Sequence, residues 1–226
     1  MGALGLGGLT PVRATGRTVG WTVLVTALAS LNYADRFVSG KPPKDVLYQW
    51  STAIGSAVLF GVILGIVFTL ANPNFELLAL RRPVSWPRAA LQMFGVLIAI
   101  YLISAIVSPF LHPGREQGLT PDRWDSSRAA PFFANAFVVC VIAPFTEELT
   151  FRGLGFSLLR PLGAVPAVLL TALAFGLAHG LVDALPVLFA FGVGLAYIRL
   201  RQDSVIPGMV LHGLFNAIAL AIAVST

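Results

Sequence analysis

The stretch FVVCVIAPFTEELTFRGLG, residues 137–155, sets two carboxylates and a guanidinium into an otherwise almost wholly apolar run. A charge at the centre of a bilayer costs about 2.5–3.5 kcal/mol on insertion scales, so an ionisable group kept inside a membrane span is a functional-site candidate by default. Helix geometry then divides the three charges. Glu148 and Arg152 are four apart and pair on one face, whereas Glu147 points about 100° away from that pair. Pro144 has no backbone N–H and is placed to kink the helix, or to start a fresh turn, just before the carboxylates.

The rest of the chain agrees with a membrane setting for this stretch. Of 226 residues, 57% are hydrophobic and only 11% charged, against about a quarter charged in a soluble domain. Seven apolar runs are legible, at 18–36, 50–72, 88–109, 131–159, 163–181, 184–200 and 204–224. Lipid offers the backbone no hydrogen-bond partners, and the strict alternation of a membrane β-barrel is missing, so every run is expected to be helical. The breakers between runs are GKPPK (40–44), NPN (72–74), RRPVSWPR (81–88), HPG (112–114) and Pro161. The expected fold is an all-α polytopic membrane helix bundle of about seven transmembrane helices, a single integral domain over 1–226. The segment FELLALRRPVSWPR before the third run interleaves Leu, Trp and Arg, and is expected to form an interfacial helix along the headgroups.

The net charge of +5 comes from Arg and Lys in the connections, a membrane topology signal rather than a nucleic-acid footprint. With seven spans, Arg13, Arg17, Arg81, Arg82, Arg88, Arg160, Arg199 and Arg201 fall on the N-terminal side, and Arg36, Lys41, Lys44, Arg115, Arg123 and Arg128 opposite. The excess places the N-terminus in the cytoplasm. Arg13, Arg17 and Ala27-Leu28-Ala29 loosely imitate a secretory signal, but the apolar pattern continues through Ala34, which favours an uncleaved first span. Ala, Gly and Arg-rich usage hints at a GC-rich genome, and a bacterial cytoplasmic membrane is the expected location.

Two later runs each carry a pair of notable side chains four residues apart: Phe175 with His179, and His212 with Asn216. Buried imidazole and amide groups need partners. The economical arrangement brings Glu147, His179, His212 and Asn216 into one wet pocket, with Gly176, Gly180, Gly208 and Gly213 allowing the helices to approach closely. The ordered set Glu147-Glu148-x-x-x-Arg152, Phe175-x-x-x-His179 and His212-x-x-x-Asn216, confined to residues 130–222, resembles the CPBP family. That family comprises the type II CAAX prenyl proteases and related bacteriocin-processing or self-immunity proteins.

The resemblance implies an intramembrane endopeptidase in which Glu147 activates water with help from His179, while His212 and Asn216 stabilise the oxyanion. Glu148, Arg152 and Phe175 would be supporting residues. It further implies a peptide substrate, prenylated, leader-type or membrane-associated, and contact with membrane lipids. Glu147, His179 and His212 could instead hold zinc, although the His-Glu-x-x-His zincin signature is missing; the glutamate mechanism without a cofactor is preferred. A proton-coupled transporter and a non-catalytic peptide-binding immunity or chaperone protein are the competing readings. Cys140 has no intrachain partner. His112 sits in a polar turn and has no assigned role, and Asp183 and Asp203 suit helix N-caps. Asn32 and Asp35 face the interface or line the substrate's path.

Overall fold

The computed structural model describes residues 11–39, 45–111 and 124–225. His112, with Lys41, Lys44, Arg115 and Arg123, lies outside the described residues. Seven helical stretches follow one another at the positions of the seven apolar runs, and no strand occurs among the described residues. They are α1 (Pro11–Ser39), α2 (Trp50–Ala71), α3 (Trp86–Val107), α4 (Ser126–Leu162), α5 (Ala164–Ala178), α6 (Leu185–Gln202) and α7 (Ile206–Ser225).

Length and composition separate these helices into two kinds. Among the described residues four are long and apolar enough to cross a membrane, α2, α3, α4 and α7. α5 is apolar, but its 15 residues span roughly 22 Å at 1.5 Å per residue, short of a hydrocarbon layer of about 30 Å. α1 carries Arg17, Asp35 and Arg36, and α6 ends in Arg199 and Arg201, charges that lower the mean hydropathy of both helices. The seven expected helices are all present, and by length and composition four of them are complete spans among the described residues. α2 and α3 expose Val58, Val62, Leu91, Phe94 and Leu102 outward, the apolar surface that lipid would cover. Inward, Trp21, Val67, Ile100, Leu149, Phe175, Leu195 and Leu211 bring all seven helices into one core.

α4 is continuous but unevenly wound. Val138–Ile142 and Glu148–Gly155 are π-helical, and the short α-helical piece Ala143–Glu147 between them carries Pro144 in its first turn. Carbonyls along these wide turns accept side-chain hydrogen bonds from three other helices. Trp21 Nε1 of α1 donates to Thr150 O (2.9 Å), Arg199 Nε of α6 to Arg152 O (3.1 Å) and Asn216 Nδ2 of α7 to Val139 O (2.8 Å). The π segments thus serve as attachment points for the bundle, a use of irregular winding that recurs beside functional sites.

Two local expectations are corrected. Residues 75–85 are not an interfacial helix. After a 3₁₀ turn, Phe75–Leu78, the chain runs as a strap with Leu77, Leu78 and Ala79 buried in the core. The strap is bolted to the α6–α7 turn by Val205 N–H to Ala79 O (3.1 Å), Val84 N–H to Gln202 O (3.1 Å) and an Arg81–Asp203 ion pair (2.7 Å). Burying three apolar side chains outweighs leaving them at the headgroups.

Nor is Asp203 an N-cap. It closes α6 in the left-handed conformation at φ 51° and bonds Arg199 Nη1 (2.8 Å) as well as Arg81. Burial alone would push its carboxyl up; the hydrogen bond from Arg81 and the charge of Arg199 outweigh that and hold it below the ordinary range. Asp183 likewise makes no cap, since Ala184 occupies the N-cap position of α6 without a side-chain bond.

The strap yields a direct test. A Cβ at Gly153 would sit 2.8 Å from the Leu78 carbonyl oxygen, whereas one at Gly95 meets nothing within 4 Å. Gly153→Ala is expected to cost about 1–3 kcal/mol through overpacking against backbone, read as a lowered melting temperature in detergent. Gly95→Ala should leave the melting temperature unchanged or raise it.

Candidate active site

Glu147 is the last residue of the α-helical piece between the two π segments, and Glu148 opens the second of them. Their side chains diverge as the spacing predicts. Glu148 and Arg152 are completely buried and joined at 3.1 Å, while Glu147 keeps 17% of its side-chain surface exposed. Arg152 also donates to Gly192 O of α6 (3.1 Å) and lies 4.2 Å from the centre of the Phe175 ring. Gly208 is what admits this pair beside α7, because a Cβ there would fall 2.6 Å from Glu148 Oε2.

The two histidines converge on the carboxylates from different helices. His179 is the C-cap of α5; its Nδ1 lies 2.7 Å from Phe175 O, a geometry that makes Nδ1 the donor and turns Nε2 outward. Nε2 stands 4.0 Å from Glu147 Oε2, a separation that one bridging water can fill. His212 of α7 is set between the two acids, with Nε2 3.6 Å from Glu147 Oε2 and Nδ1 3.4 Å from Glu148 Oε1. Phe175, fully buried, stacks edge-on to both imidazoles, with ring centres 4.6 Å from His179 and 5.6 Å from His212. It fixes the rings and does not line the opening.

Asn216 is placed differently from the other three. Its amide nitrogen bonds Val139 O in the first π segment, one helical turn beyond His212. Glu147 Oε2 is buried and has no hydrogen-bond partner among the described residues. An orphaned buried acceptor is costly unless something else occupies the position, and a reacting water is the simplest candidate.

Glu147 and His179 open into a cleft of about 250 Å³. Leu28 and Asn32 of α1, Leu59, Phe60 and Ile63 of α2, and Thr146, Thr150 and Phe151 of α4 line it, with Ala178 beside His179. The lining is mixed, with apolar Leu28, Leu59, Phe60 and Ile63 alongside the Glu147 carboxylate and the His179 imidazole. Sequence reasoning left Asn32 undecided, marked Gly208 only as a close-packing glycine, and missed Trp21 and Arg199. Arg199 stood out only as a positive charge near an interface; Trp21 gave no signal.

The donor set is spaced too widely for a zinc site. Tetrahedral ligands at about 2.0–2.1 Å lie about 3.3 Å from one another, and the edges from Glu147 Oε2 measure 3.6 and 4.0 Å. No group of three His, Cys, Asp or Glu among the described residues is arranged to hold a metal ion. The residues as placed do not fit one.

No curated protein and no solved structure matches the chain significantly. Residues 129–218 do match a protein-family model, described as type II CAAX prenyl endopeptidase Rce1-like. That stretch contains Glu147, Glu148, Arg152, Phe175, His179, His212 and Asn216, and leaves out α1, α2 and α3.

Proposed function

We propose, on the premise that the chain belongs through residues 129–218 to the Rce1-like family of type II CAAX prenyl endopeptidases, that this integral membrane protein hydrolyses a peptide bond in a lipidated, leader-type or membrane-associated peptide. The observation that carries the reading is Glu147 Oε2, without a hydrogen-bond partner among the described residues and facing two imidazole nitrogens, on a residue that lines a cleft with Leu28, Leu59, Phe60 and Ile63.

Water held between Glu147 and His179 Nε2 gives a proton to the Glu147 carboxylate as its oxygen attacks the scissile carbonyl. Charge then develops on the carbonyl oxygen. His212 faces Glu148 Oε1 through Nδ1 at 3.4 Å, and its Nε2 can donate to that oxygen. A primary amide has two N–H groups, so Asn216 can hold Val139 with one and offer the other to the oxyanion. Collapse of the tetrahedral intermediate breaks the C–N bond, and the proton on Glu147 passes to the leaving amine. Low local dielectric around the helices strengthens each of these interactions.

Leu28, Leu59, Phe60 and Ile63 favour a substrate with an apolar group next to the cleaved bond. The N-terminus in the cytoplasm of a bacterial cell belongs to the same proposal, resting on the arginine excess. The test is mass spectrometry of peptides released from membranes carrying the wild type or Glu147→Gln. Peptides with new termini should appear only with the wild type, and farnesylated and unmodified versions of one synthetic CAAX-like peptide would then grade the apolar requirement. Since no metal takes part in this mechanism, activity is expected to change by less than about twofold after treatment with a strong chelator, measured on purified protein. A loss restored by zinc would overturn the metal-free route.

A further inference from the structure

We propose that Asn32, on α1 and outside the family-matched segment, is a positioning residue for the hydrolysis inferred above: its carboxamide clamps the turn that carries His179. The assignment rests on that reading of the site. It starts from a weakness of the site, because His179 is the C-cap of α5, and the last carbonyls of a helix have no intrahelical partners. Such an end frays unless something outside the helix takes those carbonyls.

α1 supplies the partners. Asn32 Nδ2 donates to Ala178 O, the residue directly before His179 (2.5 Å), and Tyr33 Oη donates to Leu181 O two residues after it (3.3 Å). Between them Gly180 turns at φ 66°, and a Cβ there would lie 2.7 Å from the Asn32 backbone carbon. α1 is therefore seated on the turn from both sides of His179. The ring is tied to its own helix through Nδ1 and Phe175 O, so wherever the turn goes, Nε2 follows. The 4.0 Å gap to Glu147 is already at the length that one water bridges. A shift of about 1 Å in such a constellation costs about 10²-fold in rate.

Asn32 also lines the cleft, so the experiment has to separate clamping from wall-building. Asn32→Leu and Asn32→Asp keep four branched side-chain heavy atoms and remove the donor; Asn32→Gln keeps the donor on a longer stem. On the purified full chain with a cleaved peptide, the first two are expected to lower kcat by about 10- to 100-fold with KM within about threefold, and Asn32→Gln to retain at least about a third of the wild-type rate. Tyr33→Phe, which removes one hydroxyl, should give a smaller loss in kcat of about threefold.

Amide hydrogen exchange without substrate supplies a second readout. Exchange at residues 179–181 should rise about tenfold in Asn32→Leu and stay unchanged in α2. Wild-type kcat in Asn32→Leu and Asn32→Asp, or a loss confined to KM with exchange unaltered, would show Asn32 to be only a wall and overturn the proposal. If Glu147→Gln cleaves as fast as the wild type, the hydrolytic reading itself has failed and the assignment of Asn32 falls with it.

Discussion

Glu147→Gln is expected to reduce peptide cleavage by at least about 10³-fold, the upper part of the range for losing a general base, with little change in folding. The carboxamide matches the carboxylate in size but cannot take the proton from water. Folding should survive because Glu147 Oε2 forms no hydrogen bond among the described residues, so the substitution breaks none there. Both halves of the outcome matter. A kcat/KM within tenfold of the wild type would remove Glu147 from the chemistry. Loss of folding together with activity would favour the non-catalytic peptide-binding reading, in which the acid holds helices together and cleaves nothing.

The second large effect concerns the pair behind it. Glu148 and Arg152 have no exposed side-chain surface and are joined at 3.1 Å. Arg152→Met leaves the Glu148 charge buried beside His212 alone, and removal of one partner from such a pair costs about 3–5 kcal/mol. Adding Glu148→Leu removes the stranded charge, and the double variant is expected to recover at least half of that loss in a detergent melt. Activity is not expected to return, since Glu148 is also the acceptor that faces His212 Nδ1 at 3.4 Å. Stability regained without activity would separate the roles of the neighbouring acids, Glu147 for the reaction and Glu148 for holding His212 and Arg152. A double variant as unstable as Arg152→Met alone would mean that the Arg152 bond to Gly192 O, rather than the ion pair, holds α6 against α4.

The match of residues 129–218 to an endopeptidase family model and the geometry of the cleft bear on different parts of the chain. The matched segment contains both carboxylates and both histidines. The surface a substrate would meet also includes Leu28, Asn32, Leu59, Phe60 and Ile63, from helices outside the match. Differences among related proteins in which peptide is cleaved are therefore expected to follow α1 and α2.

The residue pattern by itself determined what local rules can carry. Hydrophobic runs long enough for lipid specify helices because an unpaired backbone is too costly there. The i,i+4 spacing specifies that Glu148 meets Arg152 and that Glu147 does not, since both statements depend only on helix pitch. Tertiary structure alone decided that His212 bridges the two acids, that Asn216 turns to Val139, that residues 75–85 become a strap instead of an interfacial helix, and that Asp203 ends a helix instead of starting one. It also decided the π winding of α4, whose carbonyls meet Trp21 from 129 positions away and Arg199 from 47. Those contacts depend on which helices lie side by side and how far they slide past one another. Helical periodicity and residue type set neither, because an apolar face packs against many partners while a buried carbonyl, carboxylate or imidazole accepts only the one that satisfies it.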